Sequence, residues 1–119
     1  INLSDNAPVN LLLSNNEVVE LKPVNTFIGA FTAEDTDPAD TFRYQLVSGE
    51  GSADNSSFNI YQNFLRSSFV FDSQVRDTYT IRVRVTDQTN RFLEKIFTIK
   101  VIAAEKQYFY LPVIVVGEE

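Results

Sequence analysis

The sequence of 119 residues contains no cysteine, histidine, methionine or tryptophan. Without cysteine the chain cannot form disulfides. Without cysteine and histidine it lacks the usual activated nucleophiles and the usual ligands of zinc, copper and iron. Oxygen atoms of carboxylates, amides and the backbone are the donors that remain for a metal ion. Any metal chemistry of this chain is therefore expected to involve a hard, oxygen-binding cation.

A basic surface and a long apolar run are missing as well. The net charge is −6, and the ten lysines and arginines are scattered singly apart from the pair Arg82 and Arg84. Such a chain offers no surface for a phosphate backbone, so we expect no nucleic-acid partner. The longest apolar run, YFYLPVIVV at 108–116, is shorter than the roughly 20 residues that span a bilayer. No signal peptide is visible either, and we expect this sequence to be a piece of a larger protein with no transmembrane segment in the piece itself.

What the sequence does have is a strong alternation of apolar and polar residues. Hydrophobic residues make up 44% of the chain and aromatic residues 13%, enough for one domain with its own core. The stretch YTIRVRV at 79–85 alternates strictly, which predicts a half-buried antiparallel strand. The stretches FRYQL at 42–46 and IFTIKVI at 96–102 repeat the pattern. The residues predicted to face inward are Tyr79, Ile81, Val83, Val85, Phe42, Tyr44, Leu46, Phe97, Ile99 and Val101.

The segments between these strands are rich in turn-forming residues. They include NAP, SNN, DTDPAD, SGEGSADNSS and DQTN, and they recur about every ten residues. About seven strands in about 100 residues predict an all-β, seven-stranded Greek-key β-sandwich of immunoglobulin-like type. Because antibody domains carry a buried tryptophan and paired cysteines, this chain is not a true immunoglobulin domain.

Acidic residues are concentrated in AEDTDPAD at 33–40, directly after the predicted strand TFIGAFTA. Another predicted strand ends at Asp87. If the two strand ends share one pole of the sandwich, Asp35, Asp37 and Asp87 converge, and their mutual repulsion favours a cation between them. Ca²⁺ takes six to eight oxygen ligands in loose geometry and fits such a cluster. The alternative is that these acidic residues belong to ordinary solvated turns.

Four motifs occur in a characteristic order and spacing: NLSDNAP at 2–8, VVELKPVNTFIGAFTAEDTD at 18–37, FDSQ at 71–74 and YTIRVRVTDQ at 79–88. Together they resemble the DxNDNxP, VxExxPxGTxVxxxxAxDxD, LDxE and YxLxVxAxD motifs of cadherin repeats. The resemblance covers residues 2 to about 102 and is closest to the cadherin-like repeats of bacterial surface proteins. The departures from the family motifs are Asn2, Ser4, Asn25 and Gln74.

In the cadherin family Ca²⁺ lies between successive repeats, so the resemblance implies a half-site at each pole of this domain. The half-site implied at the N-terminal pole comprises Asp5, Asn6, Asp35, Asp37 and Asp87, with the Ser4 carbonyl and Asp40 as further candidates. The half-site implied at the C-terminal pole comprises Glu20, Asp72 and Gln74. Because Gln74 is neutral and no DxNDN motif follows the last strand, we expect the C-terminal pole to be empty or weak.

The resemblance also implies a domain organisation and a function. Residues 1–8 would be an inter-repeat linker, 9–103 the domain, and 104–119 a tail that could add an edge strand. The expected function is a calcium-binding structural and adhesive module of an extracellular or cell-surface protein, with Ca²⁺ stiffening the junction to the preceding repeat. The eroded C-terminal half-site indicates the last repeat of an array. Expected partners are adjacent repeats, other surface proteins or polysaccharide.

Two other functional classes are open from the sequence. A carbohydrate-binding module is one alternative, because calcium-bound β-sandwiches often bind glycans and aromatic rings supply stacking faces. Tyr61, Phe64 and Tyr108 are the aromatic residues outside the predicted inward positions that would serve this role. A glycosidase-like carboxylate pair is the other alternative. No nucleophile, base or cleft motif accompanies it, so we expect that the chain is not an enzyme.

Overall fold

The structure is a computed structural model, and it describes residues 6–37 and 40–104. Eight strands lie within these ranges. They are β1 (Asn10–Leu13), β2 (Glu17–Val19), β3 (Phe27–Glu34), β4 (Phe42–Leu46), β5 (Phe58–Tyr61), β6 (Phe64–Ser67), β7 (Thr78–Asp87) and β8 (Phe92–Ile102). A 3-10 turn, Asn55–Ser57, precedes β5. Among the described residues there is no helix long and apolar enough to cross a membrane.

The strands form two four-stranded sheets, one in the order β1-β3-β6-β5 and the other in the order β2-β8-β7-β4. All pairs are antiparallel except β2 with β8, which run parallel. The prediction of an all-β fold with two sheets is confirmed. The Greek-key connectivity stays a prediction from the sequence.

The described part of the chain has one strand more than the seven expected, because its first extended segment divides between the sheets. Residues 10–13 pair with β3, and residues 17–19 pair with β8. At the crossover Asn15 donates from its side chain to the carbonyls of Glu17 and Ile28, at 2.7 and 2.9 Å. Gly29 allows the close approach, since a Cβ there would lie 2.4 Å from the Asn15 carbonyl oxygen.

The core lies between the sheets and follows the alternation of the sequence. The residues predicted to face inward on β7 are all buried, and so are Ile99 and Val101 on β8. Phe42, Tyr44, Leu46 and Phe97 are half-buried and pack against this core. The predicted inward positions are therefore confirmed.

Aromatic side chains join the two sheets at both ends of the core. Phe31 of β3 packs with Tyr44 and Phe97 of the opposite sheet, at ring-centroid distances of 5.8 and 5.7 Å. Towards the other end, the Phe58 ring of β5 lies 6.1 Å from the Tyr79 ring of β7. Such aromatic contacts add to the free energy gained by burying apolar area.

The ladder of β7 and β8 defines the two poles of the sandwich. Thr78 pairs with Lys100 at one end, and Thr86 pairs with Phe92 at the other. The pole at Thr86 holds the end of β7, and the pole at Lys100 holds the end of β8. We call them the carboxylate pole and the C-terminal pole.

Candidate metal centre

The turn between β7 and β8 fixes the position of Asp87. Its Oδ1 oxygen accepts hydrogen bonds from the backbone N–H groups of Thr89 and Arg91 and from the Thr89 hydroxyl, at 2.9, 3.0 and 2.7 Å. Asn90 adopts a left-handed conformation with φ of 69°, which asparagine tolerates better than most residues. The Asp87 side chain is 0% exposed. The turn therefore holds the Asp87 carboxylate inside the protein, with its Oδ1 oxygen hydrogen-bonded to the turn.

The loop after β3 positions the other acidic residues. Asp35 directly follows the last residue of β3, and its Oδ1 oxygen accepts a hydrogen bond from the Asp37 N–H at 3.1 Å. The Asp40 N–H donates to the Asp37 carbonyl at 3.1 Å. The side-chain amide of Gln88 donates to Asp40 Oδ1. Since Gln88 belongs to the β7–β8 turn, this contact ties the loop to the opposite sheet.

Three carboxylates meet where the loop and the turn come together. Asp35, Asp40 and Asp87 each offer one oxygen, and the three oxygens lie within 4.8 Å of one another. The Oδ2 oxygens of all three residues are buried and have no hydrogen-bond partner. Buried polar atoms are normally paired, so three unpaired anionic oxygens in one place require an explanation.

The pKa values reflect this crowding. Burial raises the pKa of Asp40 from 3.8 to about 6, helped by the hydrogen bond that protonated Asp40 can donate to Asp35 and by the charges of Asp35 and Asp37. Burial on its own would also raise the pKa of Asp87. The hydrogen bonds from Thr89 and the Arg91 backbone outweigh that effect and hold the Asp87 pKa below its ordinary value. The metal-free cluster therefore retains a proton up to about pH 6, on Asp40.

The arrangement fits a hard divalent cation. Two oxygens bound to the same Ca²⁺ at 2.3–2.6 Å can be at most about 5 Å apart, and the three carboxylate oxygens lie within 4.8 Å of one another. A cation would pair with the unpaired Oδ2 oxygens and displace the proton from Asp40. The donor set contains oxygen only, which suits Ca²⁺ and not a soft transition metal.

The residues predicted for this pole have different placements in the structure. Asp35, Asp40 and Asp87 are brought together, whereas the Asp37 carboxylate is not one of the three that meet. Asn6 is among the described residues, and three residues after it the Val9 N–H donates to the Glu34 carbonyl at 2.8 Å at the end of β3. Ser4 and Asp5 lie outside the described residues. Metal binding by these residues stays a prediction.

The C-terminal pole shows a different pattern. Glu20 Oε1 accepts from the N–H and hydroxyl of Ser73, and Oε2 accepts from the Ala104 N–H at 2.9 Å. Asp72 Oδ1 accepts from the Gln74 N–H at 2.9 Å, and Gln74 itself is exposed. In the described part of this pole no group of three acidic residues converges as it does around Asp87. Glu20 here joins loops through hydrogen bonds. Calcium at Glu20, Asp72 and Gln74 stays a prediction.

The residues that hold the cluster in place are not predicted by the sequence. Gln88, Thr89 and the backbone of Arg91 position Asp40 and Asp87 through hydrogen bonds. The only signal was the turn-like stretch DQTN directly after the strand, which indicates a turn but not which oxygens it binds.

Two of the three aromatic residues predicted for glycan binding contact other side chains of the domain. Tyr61 is 51% exposed, but the Arg66 guanidinium lies 5.0 Å above its ring centroid. Phe64 packs edge-on against Phe27 at 5.5 Å. Tyr108 lies outside the described residues. Carbohydrate binding stays a prediction.

Comparison of the sequence with family models and with curated proteins finds no match. Solved structures do match. Repeats EC22-24 of mouse cadherin-23 share 24% identity over 86% of this chain and 34% of that chain, with a TM-score of 0.61. Repeats EC1-2 of chicken VE-cadherin share 23% identity over 87% of this chain and 53% of that chain, with a TM-score of 0.62.

The ectodomain of human desmocollin-1 gives a similar result, with 22% identity over 83% of this chain and 20% of that chain at a TM-score of 0.63. The chain therefore spans between about a fifth and a half of the length of these three proteins. At such identities the likeness concerns the fold. This chain has the fold of a cadherin extracellular domain.

Proposed function

We propose that this chain is a calcium-binding structural and adhesive repeat of an extracellular or cell-surface protein. The observation that carries the proposal is the trio of buried, unpaired oxygens of Asp35, Asp40 and Asp87. The ligands proposed beside this trio are Asp5, Asn6, Asp37 and the Ser4 carbonyl. The cadherin-like fold supports the proposal, because the trio occupies the pole where the chain enters the domain.

A solvated turn does not account for this cluster. Carboxylates in solvated turns are hydrated, whereas Asp87 is 0% exposed and its Oδ2 oxygen has no partner. Leaving charged oxygens buried and unpaired costs free energy, and a bound cation removes that cost. A hydrated alkali cation would not replace the lost partners as well as Ca²⁺, which accepts six to eight oxygens.

The mechanical role follows from where the site lies. The linker enters the domain beside the cluster, since the Val9 N–H donates to the Glu34 carbonyl at 2.8 Å. A cation held by the cluster and by linker oxygens would fix the linker relative to the sandwich. Without the cation, the acidic groups repel one another and the junction bends freely. The proposed partner at this pole is the preceding repeat of the same protein.

Calcium concentration sets the proposed location. Extracellular modules bind Ca²⁺ with dissociation constants of about 10⁻⁴–10⁻³ M, and Ca²⁺ concentrations of this order exist outside cells. We further propose that this is the last repeat of an array of bacterial type. The bacterial type rests on the resemblance of the motifs alone, and the last position is supported by the neutral Gln74 at the C-terminal pole and by the hydrogen bonds from Ser73 and Ala104 that already occupy Glu20. Other surface proteins or polysaccharide are further proposed partners.

The test is an NMR titration of the 119-residue chain with CaCl₂. We expect saturable shifts of the amides of Asp35, Asp40, Asp87 and Thr89 at submillimolar to millimolar Ca²⁺. Asp35→Asn removes one charge at the cluster and should weaken binding at least tenfold. Asp72→Asn, a matched change at the other pole, should leave the affinity unchanged.

Two results would overturn the proposal. One is the absence of any shift at the cluster up to 10-fold above a dissociation constant of about 10⁻³ M. The other is an equal loss of affinity in Asp35→Asn and Asp72→Asn, which would indicate non-specific attraction to an acidic protein.

A further inference from the structure

The C-terminal pole carries a cluster of large apolar side chains that the domain leaves exposed. They belong to the loops at 20–25 and 68–77 and to the end of β8, and they are between 39% and 81% exposed. We call this cluster the apolar pole. Its members are Leu21, Val24, Phe69, Val70, Val75 and Ile102.

Backbone contacts bring these segments together. The Leu21 N–H donates to the Phe71 carbonyl at 2.8 Å, and the Phe69 ring lies 5.6 Å from the Phe71 ring. The Glu20 N–H donates to the Ile102 carbonyl at 2.9 Å. The segments that carry the exposed apolar side chains are therefore adjacent at one end of the sandwich. Contiguous apolar patches on a domain surface usually mark an interaction site.

The chain leaves the sandwich at this same patch. After β8 ends at Ile102, the Ala104 N–H donates to Glu20 Oε2 at 2.9 Å. The sequence then continues into YFYLPVIVV at 108–116, which has no charged residue. A β-branched run of this kind promotes aggregation when it is left in water. The pole and the run are therefore two apolar surfaces tethered to each other.

We propose that residues 108–116 bind across the apolar pole of their own domain. Three residues lie between Ala104 and Tyr108, so four Cα–Cα steps give a reach of about 14 Å, and nine extended residues span about 30 Å. A sheet of four strands is about 19 Å wide. The run is therefore long enough to cross the pole. One contact would remove both apolar surfaces from water.

Residues 108–116 are favoured over a separate molecule because the short segment after Ala104 holds them next to the apolar pole. A short linker gives an effective concentration in the millimolar range. A second copy or another protein at micromolar concentration competes poorly with a segment of the same chain. Binding of residues 108–116 to the apolar pole does not require a metal ion at the carboxylate pole. A negative calcium titration would therefore not contradict it.

The absence of cysteine permits a direct test. Glu118→Cys introduces a single thiol just beyond the apolar run, and a nitroxide spin label can be attached to it. We expect strong paramagnetic broadening of the methyl signals of Leu21, Val24 and Val75. The methyl signals of Val9, at the carboxylate pole, should remain sharp and serve as the internal reference.

The matched control keeps the label and makes the run polar with Leu111→Ser, Ile114→Ser and Val116→Ser. We expect this variant to lose most of the selective broadening, while its other methyl signals stay in place because the sandwich is unchanged. Equal broadening in the control would overturn the proposal, since a passive tether would then explain it.

A mixing experiment distinguishes the occupants. A labelled chain without isotopes is mixed with an isotope-labelled chain that lacks the spin label. We expect no broadening at Leu21, Val24 and Val75 in the mixture. Selective broadening there would mean that the run binds a second copy, and the intramolecular proposal would be wrong.

Discussion

Asp35 and Asp87 approach each other from opposite sheets of the sandwich. Asp35 follows β3 of one sheet, Asp87 ends β7 of the other, and their carboxylates are two of the three that meet within 4.8 Å. Both residues bury an Oδ2 oxygen without a partner. Negatively charged groups thus meet at this pole, where the two sheets come together.

Substitutions of Asp87 should separate its structural role from its proposed metal role. Asp87→Asn keeps an oxygen for the Thr89 and Arg91 donors and adds an N–H₂ group that can pair with Asp35. We expect its metal-free stability at pH 7 to fall slightly below that of the unsubstituted chain, because the lowered pKa of Asp87 means that folding favours the ionised carboxylate. Asp87→Ala leaves those donors without an acceptor and should cost about 1–3 kcal/mol. Urea unfolding with EDTA measures both.

Both Asp87 variants should lose the stabilisation that millimolar CaCl₂ gives the unsubstituted chain. A Ca²⁺-dependent rise in melting temperature that persists in Asp87→Asn would show that this carboxylate is not a ligand.

The stability of the metal-free chain should depend on the protonation of Asp40. Its folded pKa is about 6, above the ordinary 3.8. The folded state therefore binds the proton more tightly, and this contribution is complete below pH 3.8 and lost as pH rises through 6. Asp40→Asn imitates the protonated acid. In EDTA the variant should match the unsubstituted chain near pH 4 and be the more stable of the two at pH 8.

Asp40→Asn and the unsubstituted chain share every other titrating group, so the difference in their stability at each pH reports Asp40 alone. Two of those other groups change the stability in the opposite direction. Hydrogen bonds from Arg82 and Arg84 hold the pKa of Glu94 below its ordinary value, and Asp87 is shifted the same way. Both groups lose their stabilising effect as pH falls. Unfolding midpoints measured from pH 4 to 8 should therefore diverge between the chains from about pH 4 to about pH 6 and stay apart by a constant amount above it. Parallel curves would contradict the raised pKa.

Glu20 should behave as a structural clamp at the C-terminal pole. Glu20→Ala deprives the Ser73 and Ala104 N–H groups of their acceptor and should cost about 1–3 kcal/mol, with faster hydrogen exchange at Ala104. Glu20→Gln retains an oxygen acceptor and should cost less. Addition of CaCl₂ should leave the Ser73 and Ala104 amides unshifted. If they shift, and Glu20→Gln abolishes the shift, Glu20 is a ligand.

Phe31 should be a major source of stability because it joins the sheets. It is 1% exposed and packs with Tyr44 and Phe97. Phe31→Ala should cost about 3–5 kcal/mol in guanidinium unfolding. Phe92→Ala is the matched control, because Phe92 is 48% exposed and contacts the Arg84 guanidinium at 4.1 Å. We expect it to cost under about 1 kcal/mol. Similar costs for the two variants would contradict the packing described.

Much of the sandwich can be predicted from local patterns. The side chains of a strand alternate between its faces, so the stretch from Tyr79 to Val85 indicates both the strand and its buried face. The same pattern ends at Asp87 and makes it a candidate for the pole. The division of the first strand could not be predicted in this way. It depends on Asn15 bonding to Ile28 across the space that Gly29 leaves.

The sequence by itself determined the all-β class, the inward face of β7 and β8, and the presence of carboxylates at two strand ends. All of these depend on spacing between neighbouring residues. Only the tertiary structure decided that Asp40 joins Asp35 and Asp87, and that Glu20 is occupied by Ser73 and Ala104. Those outcomes depend on contacts such as that of Gln88 with Asp40, between residues distant in the chain. Such contacts contribute free energy only when the two sheets pack together, so the spacing of neighbouring residues in the sequence cannot predict them.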